Sequence, residues 1–189
     1  MTHTLNDQEK IVADLVQDNI IVWDVKKGRE LYKLGYYGKP LGIPKPKSFE
    51  FDAPLILDVI EAVYLVEKGI ISVKKNNSLM KLDELIEYGK KNYERFEEKY
   101  LVYKDLRDRG FVVTPGIKFG SDFAVYKHGP GIDHAPFIVQ VKLEDDELSA
   151  AELIRAGRLA TTVRKRFVIA VPNLMDKKVT YLAFEWWKA

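Results

Sequence analysis

Tyr126, His134 and Lys165 bring a phenol, an imidazole and an ammonium into the second half of the chain, within DFAVYKHGPGIDHAPFIVQV and RLATTVRKRFVIAV. Spread over a predicted sheet and the helix packed on it, three such groups suffice to cut RNA by way of its own 2′-hydroxyl. That reaction needs the hydroxyl deprotonated, the departing 5′-oxygen protonated and the charge on the phosphorane stabilised. Histidine titrates near neutrality and can hand a proton to the leaving oxygen. A phenol, with an unperturbed pKa of about 10, needs a nearby cation to act as a base at neutral pH, and a lysine supplies one. Taken singly, the residues have plainer readings. A tyrosine in a strand usually packs. His128 and His134 share one Gly/Pro-rich hairpin that favours neither, and Lys165 in VRKR reads equally as a solvated helix end or a general phosphate patch.

The elements that must position these groups lie beyond Gly110, where the pattern turns to short apolar runs. Residues 111–114, 123–127, 136–142, 167–172 and 179–184 read as strands, and 149–164 as one helix among them. The result is a mixed sheet of about five strands with a crossing helix. The first half reads as a smaller α/β unit. Residues 5–18 are expected to be a helix or an arm, 20–25 a strand, Lys26-Lys27-Gly28 a turn and 29–34 a second strand. Residues 55–68 carry helical periodicity and stop at Gly69, which suits a C-cap. Residues 70–75 read as a strand, and 82–109 as one long, highly charged helix with Gly89 as a break point and its tyrosines packing. The fold class is therefore α/β (α+β), with an N-terminal α/β domain at 1–95 and a C-terminal mixed-sheet domain at 96–189.

Bulk properties remove several classes. Hydrophobic residues make up 47%, enough for a core. No apolar run approaches the roughly 20 residues of a membrane span, and the polar start MTHTLNDQEK does not read as a signal peptide. The absence of cysteine removes thiolate metal sites and fits a reducing cytoplasm, and only 3 histidines argue against a zinc site. No metal or other cofactor is expected. A net charge of +2 does not mark a nucleic-acid binder, so a phosphate-binding surface has to come from local clustering. One tract, YYGKPLGIPKPKSFEFDAP, holds Pro40, Pro44, Pro46 and Pro54 and cannot be a regular element. It reads either as an exposed linker or as a functional loop with Lys39, Lys45 and Lys47 at a basic tip.

YLVYKDLRDRGFVVTPGIKFGSDFAVY, followed by IDHAPFIVQV and TTVRKRFVIAV, resembles the archaeal tRNA-splicing endonuclease family, and IEAVYLVEKGIISV resembles that family's N-terminal domain. The resemblance implies a C-terminal catalytic domain of restriction-endonuclease-like type. It also implies a catalytic triad at Tyr126, His134 and Lys165, with either Tyr126 or His134 as base and the other as acid. Arg158 falls where the family uses an arginine to grip a flipped-out RNA base. It precedes Lys165 by seven residues, two turns along a continuous helix. The second gripping arginine has no counterpart, since DKKVTYLAFEWW offers only Lys177 and Lys178. The acidic turn KLEDDEL falls where the family docks an acidic loop into a partner subunit, with Asp145 and Asp146 as the interface candidates. The aromatic C-terminal strand, with Trp186 and Trp187, resembles the family's dimer strand. The long lysine-bearing tract is similar to that of subunits forming α2β2 heterotetramers with a structural endonuclease subunit; a homotetramer is the alternative.

Precursor tRNA, cut at bulge–helix–bulge motifs to leave a 2′,3′-cyclic phosphate and a 5′-hydroxyl, is the substrate this resemblance implies. Two other readings compete. A metal-dependent DNA nuclease of restriction-enzyme type would use Asp122, Asp133 and Gln140-Val141-Lys142, although glutamine is a poor metal ligand. A non-catalytic RNA-binding subunit would leave the three candidate catalytic groups unused.

Overall fold

Ile11, Ala13 and Leu15 are buried while Val12 and Val16 are exposed, the period-two alternation of a strand. This strand, β1 (Ile11–Val16), stands where a helix or arm is expected over 5–18; residues 5–9 lie outside the described residues. The computed structural model describes residues 10–43, 46, 48–117, 120–132, 137–162 and 166–184, with 155, 156 and 159–162 described as backbone alone. The chain divides into two units, Met1–Phe96 and Glu97–Ala189. As the sequence predicts, the fold is mixed α+β.

In the first unit β2 (Asn19–Val22) leads into a helix, α1 (Val25–Gly35), where a turn and a second strand are expected. Asp24 starts the helix by accepting the Lys26 and Lys27 N–H groups at 2.9 and 3.1 Å. Gly28 misleads as a turn signal. It lies inside α1, where a Cβ would meet the Leu55 Cβ at 3.1 Å, so the glycine permits close packing. The expected helix over 55–68 is likewise two elements. β4 (Leu55–Leu57) pairs with both β2 and the short β3 (Lys39–Pro40), and α2 (Val59–Glu67) then begins at a capping box formed by Asp58 and Glu61. With β5 (Ile71–Lys75) and β6 (Ser78–Leu79) the sheet runs β3-β4-β2-β1-β5-β6, and only β1 and β5 are parallel.

The expected long helix over 82–109 is broken. α3 (Leu82–Asn92) stops, Arg95 takes a left-handed φ of 54°, and α4 (Phe96–Asp108) begins. Gly89 does not break α3. It leaves room for Phe96, whose ring carbon Cε2 would lie 2.5 Å from a Cβ at that position.

The second unit follows the sequence expectation closely. β7 (Val112–Pro115), β8 (Phe123–Tyr126), β9 (Phe137–Val141), β10 (Arg166–Asn173) and β11 (Lys178–Phe184) form a sheet of order β11-β10-β9-β8-β7. The single parallel pair, β9 with β10, is joined through α5 (Ala150–Thr162). α4 packs on one face. Tyr103 meets Phe123 with ring centroids 5.9 Å apart, and the Tyr181 hydroxyl donates to Asp105 at 2.6 Å. Ile138, Phe167 and Ile169 form an apolar cluster with Leu148 and Val171 packed on it. Among the described residues no helix is long and apolar enough to cross a membrane.

Candidate active site

Tyr126 is the last residue of β8, half-buried, and pairs with Val112 of the edge strand β7. Side chains alternate along a strand, and directly paired residues share a face. Ala124 pairs with Ile138, and Ile138 with Phe167, so Tyr126 shares the face of the apolar cluster. Phe123, which meets α4, points the other way. Tyr126 thus stands on the sheet face opposite α4.

The register also brings three strand ends together. Val125, next to Tyr126, pairs with Phe137, the first residue of β9; Phe137 pairs in turn with Arg166, the first residue of β10. The end of β8 and the beginnings of β9 and β10 therefore occupy one end of the sheet. His134 and Lys165 lie outside the described residues, as does Asp133. After β8 the chain passes exposed His128 and turns through Gly129 (φ 133°) and Gly131 (φ 88°), conformations that favour glycine.

The remaining candidates divide. Arg158 is exposed on α5; residues 163–165, and with them the expected helical continuation from Arg158 to Lys165, lie outside the described residues. Of the acidic pair, Asp145 is exposed, whereas Asp146 closes its own turn by accepting the Leu143 N–H at 2.8 Å. Lys39 is exposed but belongs to β3, paired with Ile56, rather than to a loop tip; Lys45 and Lys47 lie outside the described residues, as do Trp186 and Trp187. Asp122 accepts the Val141 N–H at 2.8 Å and pairs with Lys99 at 3.0 Å, while Lys142 reaches Glu152 at 3.5 Å. Among the described residues no group of three or more acidic, histidine or cysteine side chains could hold a metal ion.

Two groups where β11 meets α4 carry perturbed titration. Burial, and then the hydrogen bond to Asp105, raises the Tyr181 phenol well above its ordinary range. The hydrogen bond to Asp105 also raises the Arg109 guanidinium. These three groups fasten β11 to α4, with Arg109 lying 5.5 Å over the Tyr181 ring. One residue that sequence reading passes over is Glu61, a carboxylate only 4% exposed. Its signal was the Asp58-x-x-Glu61 capping pattern ahead of an apolar run.

The tRNA intron endonuclease catalytic C-terminal domain matches residues 96–181, and the tRNA intron endonuclease N-terminal domain matches residues 11–86. A tRNA-splicing endonuclease of Hyperthermus butylicus is 46% identical over 94% of this chain and 99% of its own length. Those of Sulfurisphaera tokodaii and Sulfolobus acidocaldarius are each 42% identical over the same shares. With both domains matched in order and near-complete coverage of its relatives, the chain belongs to the tRNA-splicing endonuclease family.

Proposed function

We propose that the protein is the catalytic subunit of a tRNA-splicing endonuclease, which removes introns from precursor tRNA at bulge–helix–bulge motifs without a metal ion. Tyr126, His134 and Lys165 are its working groups. One of Tyr126 and His134 takes the proton from the 2′-hydroxyl, whose oxygen attacks the adjacent phosphorus. The bond to the 5′-oxygen then breaks, and the other residue supplies that oxygen with a proton. Lys165 neutralises charge on the phosphorane. The products are a 2′,3′-cyclic phosphate and a 5′-hydroxyl.

The observation that carries this reading is the Val125–Phe137–Arg166 register, which gathers the ends of β8, β9 and β10 beside Tyr126. The exposure of Arg158 suits a contact to a splayed base, as RNA is generally read through unstacked nucleotides. Lys39, Lys45 and Lys47 are assigned to RNA phosphates. Asp145 is assigned to a partner subunit, with Asp146 shaping the turn that presents it, in an α2β2 heterotetramer or else a homotetramer. Asp122 has both oxygens engaged, by Lys99 and by the Val141 N–H, which weakens the metal-dependent alternative.

The test is cleavage of a bulge–helix–bulge precursor in EDTA by wild type and His134→Ala, each with and without a candidate structural subunit. Cutting that survives EDTA, disappears in the variant and fails on a substrate lacking the 2′-hydroxyl at the cut site is expected. Cutting of that deoxy substrate, or cutting abolished by EDTA and restored by a divalent ion, overturns the mechanism.

A further inference from the structure

We propose that Glu61 is a positioning residue for RNA binding: through the Gly38 N–H it sets Lys39 on the sheet as a contact for RNA phosphate. The inference rests on the assignment of Lys39 to RNA, and its test separates the two.

Burying a carboxylate is costly unless hydrogen bonds replace its water. Within the capping box Glu61 accepts the Asp58 N–H at 3.0 Å, which completes the part of this residue in such a box. Glu61 does more. Both of its oxygens also lie 3.1 Å from the N–H of Gly38, 23 residues away in sequence. A local cap has no need of that bond; its effect is to tie the first turn of α2 to the entrance of β3. Gly38 is suited to the tie, having a φ of 73° and a position where a Cβ would come 2.6 Å from the Ile56 carbonyl. Lys39 follows at once and pairs with Ile56.

The far end of the same excursion is also fastened. The Leu41 N–H donates to the Pro54 carbonyl at 2.8 Å. Arg29 of α1 donates to the Phe51 carbonyl at 2.6 Å and pairs with Glu50 at 3.0 Å. Phe49 and Phe51 lie against Tyr32, with centroids 5.9 and 5.5 Å away. Leu55, which closes on Gly28 of α1, pairs with buried Pro40, so Lys39 alternates onto the other face and stays exposed. Backbone already held in place needs no further ordering when its cation meets a phosphate, which leaves only the side-chain torsions of Lys39 to be fixed on binding.

The experiment is a double-mutant cycle on precursor-RNA affinity, using the full chain with any subunit it requires. Glu61→Gln replaces one accepting oxygen by a donor that cannot take an N–H. Glu61→Asp keeps the charge but shortens the reach. Thermal melts identify the variants that fold. Lys39→Ala is expected to raise Kd and to flatten the dependence of log K on log salt by about 0.7 to 0.9, one phosphate contact. Whichever Glu61 variant folds is expected to do the same, and the double variant to be no weaker than Lys39→Ala alone. Additive losses, or a folded Glu61 variant with wild-type affinity and salt slope, overturn the proposal. If Lys39→Ala itself leaves binding intact, this inference falls while the endonuclease reading, tested through His134 and the 2′-hydroxyl, stands.

Discussion

Each unit buries a charged side chain, Glu61 in the first and Arg107 in the second, and the two solve opposite problems. Glu61 lies in the first turn of α2 and gathers main-chain N–H donors from Asp58 and Gly38. Arg107 lies in the last turn of α4 and donates to the Tyr103 hydroxyl and the Val113 carbonyl, each at 2.9 Å. Each charge suits the dipole of its helix end. What they hold differs. The carboxylate fastens the start of an irregular excursion, whereas the guanidinium fastens a helix to β7, the edge strand that supports β8 and Tyr126. Buried charge in the first unit ties a helix start to the entrance of β3; in the second it ties a helix to the sheet of the domain matched as catalytic.

The sharpest way to separate chemistry from support is Tyr126→Phe. Cleavage under single-turnover conditions should fall by roughly 10²–10⁴-fold, the range for losing a general acid or base, with a cooperative thermal melt retained. Full activity in that variant would remove Tyr126 from the reaction.

Arg107→Met should show the contrary pattern. It leaves the Val113 carbonyl and the Tyr103 hydroxyl without their charged donor, a cost of roughly 2–3 kcal/mol. Chemical denaturation should register that loss, with cleavage failing as the sheet loosens. An Arg107 variant as stable as wild type would break the comparison on the side of the second unit.

Gly89→Ala tests a purely structural site. The added carbon would come within 2.5 Å of the Phe96 ring, and overpacking of this kind costs roughly 1–3 kcal/mol. Stability should drop while the cleavage rate of the folded fraction holds; an unchanged melt would show that Phe96 moves aside freely.

The smallest effect belongs to Tyr181→Phe, about 1.5 kcal/mol, the low end for a hydrogen bond to a carboxylate such as Asp105. Its pH dependence is distinctive. The folded phenol is raised above its unfolded value of about 10, so the folded chain keeps a proton that the unfolded chain releases. The advantage over Tyr181→Phe is full below pH about 10 and declines as pH rises beyond it. A stability difference that stays constant through that window would show that the hydroxyl contributes nothing through its proton.

Every strand of the second unit was legible in the sequence because each is a short apolar run closed by turn residues, as with FIVQV and RFVIAV. Local pattern failed where a distant neighbour gave the residue its meaning. Gly28 reads as a turn until Leu55 is seen against it, and Gly89 reads as a break until Phe96 fills its space. The polar residues around β1 concealed an alternation that only the burial of Ile11, Ala13 and Leu15 exposes. The residue types at Tyr126, His134 and Lys165, and the family motifs around them, were written in the chain itself. The meeting of Val125, Phe137 and Arg166 at one sheet end, and the reach of Glu61 to Gly38, were decided only by the tertiary structure. Strand register and long-range hydrogen bonds depend on which segments pack together, and no local period in a sequence encodes that.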